Sequence, residues 1–219
     1  MTRTGVAIVP SAGQIRSVVE LQARLMEVTA LRPRLGVVEC VPHVTLLQGR
    51  ADGPLCSEDT LRRLATDLAA RGEDLCSRGT GLVYRARGWY FLALDNTGWL
   101  HELHARVVDA CRDRLRVATE DLAKDLTGYT DSEVENYRRY GYRYIGADYR
   151  PHVTLGRTPD RRRAGDEAKL MARFHNARPA IEIRPDHLSV YEIGRDGAHL
   201  RAKLQARVGG ASPDRGARA

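Results

Sequence analysis

The sequence predicts an α+β fold made of two duplicated halves that face each other across a cleft. Three observations carry this expectation. A short apolar run, Val6 to Pro10, is followed at once by a helix-periodic run, so the chain opens as strand then helix. The same order returns loosely after residue 82. Most informative, five identical residues occur twice, Pro42-His43-Val44-Thr45-Leu46 and Pro151-His152-Val153-Thr154-Leu155, each followed shortly by Gly-Arg. A chance match of that length has a likelihood on the order of a few per cent at ordinary residue frequencies, so duplication is the natural explanation.

Taken in order, Ser11 is placed to cap a helix whose Ile15, Val18, Val19, Leu21, Leu25 and Met26 follow helical spacing. From Leu35 to Leu47 the β-branched content rises and Gln48-Gly49-Arg50 closes the run, which predicts a second strand with His43 near its middle. Ser57 with Glu58 and Asp59 opens a helix running to about Gly72, its acidic first turn complementing the helix dipole. Leu82 to Tyr84 and Trp89 to Leu94 predict a strand pair, and Trp99 to about Leu115 a long amphipathic helix.

Residues 118–150 predict polar helices, with a capping box at Ser132 and Glu135, and carry six tyrosines; the stretch reads as an insertion or lid. A strand around His152 follows, then an arginine turn at Arg161 to Arg163 and a helix ending near Asn176. His187 to Ile193 and His199 to Val208 predict a closing hairpin that turns at Arg195-Asp196-Gly197. Residues 1–208 are thus expected to form a single bilobal domain, and 209–219 a disordered tail.

A hydrophobic content of 42% suffices for a sizeable core. No uncharged apolar run of about 18 residues exists, and Met1 to Pro10 lacks the h-region of a secretory leader, so the expectation is a cytoplasmic protein with no membrane partner. Cys40, Cys56, Cys76 and Cys111 form no CxxC pair, which argues against a disulfide framework or a zinc ribbon. The net charge of +7, carried mostly by arginine, favours anionic partners because the guanidinium fork matches phosphate. Coding bias on a solvated surface accounts for it equally well.

The repeat carries the chemistry. In an extended strand side chains alternate faces, so His43 and Thr45 project together while Val44 and Leu46 project oppositely, and the second copy does the same with His152 and Thr154. Packed about a pseudo-twofold axis, the halves would set two imidazoles and two hydroxyls facing one cleft. Phosphodiester cleavage needs a base for the attacking oxygen and an acid for the departing one. Two histidines suit it because one is neutral while the other is charged. The threonines would hold the non-bridging oxygens.

These residues resemble the 2H phosphoesterases, also called the LigT-like, RNA 2′,3′-cyclic phosphodiesterase or 2′-5′ RNA ligase family, which is defined by two H-x-T/S motifs flanked by apolar residues. The weaker likeness extends to Leu100-His101-Glu102-Leu103-His104 and to Leu188 to Tyr191. The resemblance implies a bilobal α+β fold, two antiparallel sheets flanking a central cleft with helices outside. It implies metal-free chemistry without a cofactor, on a 2′,3′-cyclic phosphate or 2′-5′ linked nucleotide or RNA end. His152 is then expected as base and His43 as acid, with the reverse left open. Against the family pattern, the tyrosine-rich stretch before the second motif is unusually long, which bears on the substrate.

Other candidates follow from position. Arg50, Arg150 and Arg157 flank the motifs and are candidates for phosphate; Tyr142, Tyr144 and Tyr149 are candidates for stacking on a base, though packing of the insertion explains them equally well. His101 and His104 lie three apart on a helix without a third ligand, so they read as packing residues and no metal site is expected. His175, His187 and His199 have no partner pattern. Rival readings are 2′-5′ RNA ligation, exonucleolytic trimming, or a non-catalytic nucleotide or RNA binding module. The oligomeric state is open, with a monomer plausible.

Overall fold

A computed structural model describes residues 1–72, 75–85, 88–158, 180–194 and 199–209. The Arg161 to Arg163 turn, the helix toward Asn176 with His175, the hairpin turn at 195–197, the side chain of His199 and residues 210–219 lie outside the described residues.

The chain runs β1 (Thr2–Pro10), α1 (Ala12–Met26), β2 (Val44–Ala51), α2 (Glu58–Ala69), β3 (Ser77–Arg85), β4 (Trp89–Leu94) and α3 (Gly98–Cys111). It continues through β5 (Leu115–Arg116), α4 (Thr119–Leu122), α5 (Asp131–Tyr140), β6 (His152–Arg157), β7 (Glu182–Ile183), β8 (Pro185–Ile193) and β9 (His199–Arg207). β1 is buried from Thr4 onward because it is flanked on both edges by strands, which is why it reads as a continuous apolar run.

The second strand differs from expectation. It begins at Val44 rather than Leu35, and it runs through Gly49 and Arg50 to Ala51. Pro42 has no N–H to give a ladder, and Val37 and Val38 are exposed with no strand beside them, so His43 sits at the strand's entrance instead of its middle. The capping box of α5 lies two residues earlier than Ser132 and Glu135. Thr130 accepts from the Glu133 N–H and Glu133 accepts from the Thr130 N–H, while the Ser132 hydroxyl donates to Asp148.

The two expected sheets are antiparallel, one of β7-β3-β4-β6 and one of β2-β1-β8-β9, and they join edge to edge where β6 meets β2. β5 also pairs with β2, beyond that junction. One apolar core spans both halves, drawing Val6 and Ile8 from β1, Leu46 from β2, Leu92 from β4 and Val153 and Leu155 from β6. α1, α2 and α3 bury their apolar stripes in it.

Candidate active site

The two motifs meet at Val44, which pairs antiparallel with Val153. Both valines are fully buried on the core side. Carrying that register one residue either way sets His43 opposite Thr154 and Thr45 opposite His152, with all four side chains on the face away from the core. Duplication therefore produces a crossed arrangement, each histidine beside the other copy's threonine.

Each motif is also bulged at the same residue. Pairing of β1 with β2 passes from Val6–Leu47 to Ala7–Thr45 and skips Leu46; pairing of β4 with β6 passes from Tyr90–Gly156 to Phe91–Thr154 and skips Leu155. A bulged residue loses its ladder partner, and a buried carbonyl still requires a donor. The Leu46 carbonyl receives Nδ1–H of His104, from α3, at 2.7 Å. The Leu155 carbonyl receives Nε2–H of Gln22, from α1, at 2.7 Å. The helix of each half thus braces the motif of the other.

The same two side chains fasten the loops that lead into the motifs of their own halves. Gln22 also donates to the Pro33 carbonyl and accepts from the Leu35 N–H, both at 2.8 Å. His104 Nε2 accepts from the Gly146 N–H at 3.0 Å. Only a neutral ring can accept there, and burial pushes the His104 pKa down to about 4. His104 stacks flat on Tyr149 with ring centroids 4.0 Å apart, and His101 meets the same ring edge-on.

His43 and His152 are held alike. Nδ1 of His43 lies 2.9 Å from the Val41 carbonyl, and Nδ1 of His152 lies 2.7 Å from the Arg150 carbonyl. A carbonyl only accepts, so in each ring Nδ1 carries a proton and the lone pair of the neutral form sits on Nε2. Beyond this bond their surroundings diverge. His43 is 7% exposed and packs on Tyr191 at 4.8 Å. His152 is half-buried between Phe91, at 4.3 Å, and Tyr144, at 5.6 Å. Burial pushes the His152 pKa down to about 4, Arg143 and Arg85 push in the same direction, and the Arg150 carbonyl opposes them. His152 is therefore neutral at physiological pH.

A cavity of about 370 Å³ opens beside Thr45, His152 and Thr154, bordered by Phe91 and Tyr144. His43 does not line it. Of the other expected residues, Tyr142, Tyr144 and Arg157 line the cavity, and Arg157 lies over the Trp89 ring. Arg50, Arg150 and Tyr149 are not among its lining residues. The Arg50 guanidinium pairs with Asp121 at 2.8 Å, tying β2 to α4; Arg150 contributes its carbonyl to His152; Tyr149 is buried against His104.

Sequence reasoning missed Tyr191, whose hydroxyl is 3.2 Å from Thr45 Oγ1 and whose pKa burial raises to about 12. β1 lies between the strands that carry Tyr191 and Thr45, so the ring must cross it. It does so over Gly5, where a Cβ would stand 2.6 Å from the ring. The pairing of a strand glycine with a tyrosine on a neighbour is the only signal, and it needs the register to be read. Arg3, Lys124 and Arg143 were also missed; all three line the cavity. Among the described residues no three His, Cys, Asp or Glu side chains gather as a metal site, and no helix is long and apolar enough to cross a membrane.

A sheet doubled about paired H-x-T motifs is the framework of a two-histidine fold. The family described as the 2′-5′ RNA ligase superfamily matches residues 42–197, both motifs included, and the chain belongs to it. Among solved structures, that of Usb1 from Kluyveromyces marxianus is similar at 9% identity with a TM-score of 0.43, covering 94% of this chain and 98% of that one. No curated protein sequence matches the chain.

Proposed function

We propose that the chain is a phosphodiesterase that hydrolyses a cyclic phosphodiester of the 2′,3′ type, or a 2′-5′ diester, in a nucleotide or RNA end. The observation that carries this reading is the crossed motif pair, in which both Nδ1 atoms are fixed by carbonyls and a threonine stands beside each imidazole. Membership of a superfamily named for an RNA reaction supports the substrate class.

In the proposed step, Nε2 of neutral His152 takes a proton from water as the water oxygen bonds to phosphorus. The bond from phosphorus to the leaving ribose oxygen breaks, and His43, as imidazolium, protonates that oxygen. The proton on His152 returns to solvent and His43 is reprotonated, so one water is consumed for each bond cleaved. Thr45 and Thr154 donate to the non-bridging oxygens as charge builds there. The low pKa of His152 suits it to the base.

The reading is tested by hydrolysis of nucleoside 2′,3′-cyclic phosphates in the presence of EDTA. Activity is expected to survive chelation, and His43→Ala and His152→Ala each to lower turnover at least about 10²-fold without loss of fold. Binding with no turnover would identify a nucleotide-binding module instead, and activity lost in EDTA and restored by one divalent metal would overturn the two-histidine mechanism.

A further inference from the structure

We infer that the insertion builds an anion subsite for a second phosphate, one that the substrate carries beyond the diester being cleaved; this rests on the phosphodiesterase reading. The cavity beside Thr45, His152 and Thr154 has an opposite wall supplied by the segment between β5 and β6, including Lys124, Tyr129, Tyr137 and Arg143. A cavity of about 370 Å³ falls in the range of small-ligand sites and exceeds what one diester group fills.

Its charge points the same way. Arg3, Lys124, Arg143 and Arg157 line it, and among the described residues no Asp or Glu does. A single diester carries one negative charge, so the cations that the segment between β5 and β6 adds to this wall, Lys124 and Arg143, supply positive potential for a second anionic group.

The two cations of the insertion are held chiefly by rings rather than by carboxylates. The Lys124 ammonium lies 4.2 Å from the Tyr137 centroid and 5.6 Å from that of Tyr129. The Arg143 guanidinium lies 4.4 Å from both the Tyr129 and Tyr144 centroids, with Glu133 at 4.0 Å as its one carboxylate contact among the described residues. A cation–π contact fixes a cation's position without cancelling its charge, which is what an anion subsite requires. Tyr129 contacts both cations, and Lys124 and Arg143 line the same cavity. Tyr144 bridges this wall to the reacting centre through its edge contact with His152.

The capping and pairing of the insertion make it a built wall. Thr130 and Glu133 cap α5, Asn136 donates to the carbonyls of Arg143 and Ile145, and Arg50 pairs with Asp121. The tyrosines of the stretch are divided in role: Tyr149 packs inward on His104, while Tyr129, Tyr137 and Tyr144 contact the cations.

A second phosphate has two sources, the backbone of an oligonucleotide or a terminal monophosphate on a single nucleotide. The test compares kcat/KM for adenosine 2′,3′-cyclic phosphate, its 5′-phosphorylated form, and a dinucleotide ending in the same cyclic phosphate. At least one of the two doubly phosphorylated substrates is expected to be favoured about tenfold or more, the scale of a charge-assisted hydrogen bond, and the one favoured names the source. Lys124→Gln and Arg143→Gln should bring that ratio toward one and flatten its dependence on salt, while Lys124→Arg retains it. Thermal melts establish that each variant is folded.

A ratio near one in the unaltered protein, or a ratio that both charge-removing variants leave intact, overturns the subsite. Should none of the three be hydrolysed, the phosphodiesterase reading fails separately. The subsite is then judged by equilibrium binding of adenosine 3′,5′-bisphosphate against adenosine 3′-monophosphate, with the same variants and the same criterion.

Discussion

The two copies of the pentapeptide share a backbone and differ in what surrounds it. In both, the histidine Nδ1 bonds the carbonyl two residues earlier, the leucine is bulged, and a buried polar side chain from the opposite half holds the bulged carbonyl. Around the first copy Tyr191 closes over His43 and reaches Thr45. Around the second, Phe91 and Tyr144 flank a histidine that opens on a cationic cavity. Duplication supplies the geometry, and the unlike surroundings make it possible for two identical side chains to hold different protonation states.

The comparison is broken most severely through the threonines. Thr45→Val and Thr154→Val each delete one donor from the proposed anion site, and the expected loss reaches about 10²–10³ in rate. If Tyr191 holds Thr45 in place as the structure arranges it, Tyr191→Phe lowers the rate less than Thr45→Val and adds little to it in the double variant. Full activity in both threonine variants would reduce the hydroxyls to a structural role.

A smaller effect sharpens it. Gln22→Leu and His104→Phe each leave a buried bulge carbonyl without its donor, so each is expected to lower stability by about 1–3 kcal/mol in denaturant unfolding. Because the braces cross, Gln22→Leu should disturb the titration of His152 more than that of His43, and His104→Phe the reverse. Histidine chemical shifts followed against pH distinguish these, and equal disturbance of both rings would deny the crossed bracing.

Much of this was legible in the residues. The repeat, the alternation within it and the strand-helix order placed all four motif side chains on one face, and β1, α1, α2 and the closing strands stand where periodicity put them. What failed depended on long-range register. The second strand was set too early because β-branched composition cannot say whether a partner strand exists, and Val37 and Val38 have none. The Arg50–Asp121 pair was not foreseen because the two residues are far apart in sequence. Tyr191, Gln22 and His104 act across strands or between halves, and these long-range partners are not readable from local periodicity.

The pH dependence of kcat/KM, taken together with the two histidine variants, tests the central claim most directly. A base must be neutral to act, so protonation of His152 produces the acid limb. Its pKa is depressed to about 4, so that limb should lie well below the usual histidine value of about 6.5. An acid must be protonated, so deprotonation of His43 produces the alkaline limb. The account predicts a bell in the unaltered protein, loss of the acid limb from the residual activity of His152→Ala, and loss of the alkaline limb from that of His43→Ala. Both limbs persisting in both variants would contradict an acid/base pair made of these two histidines.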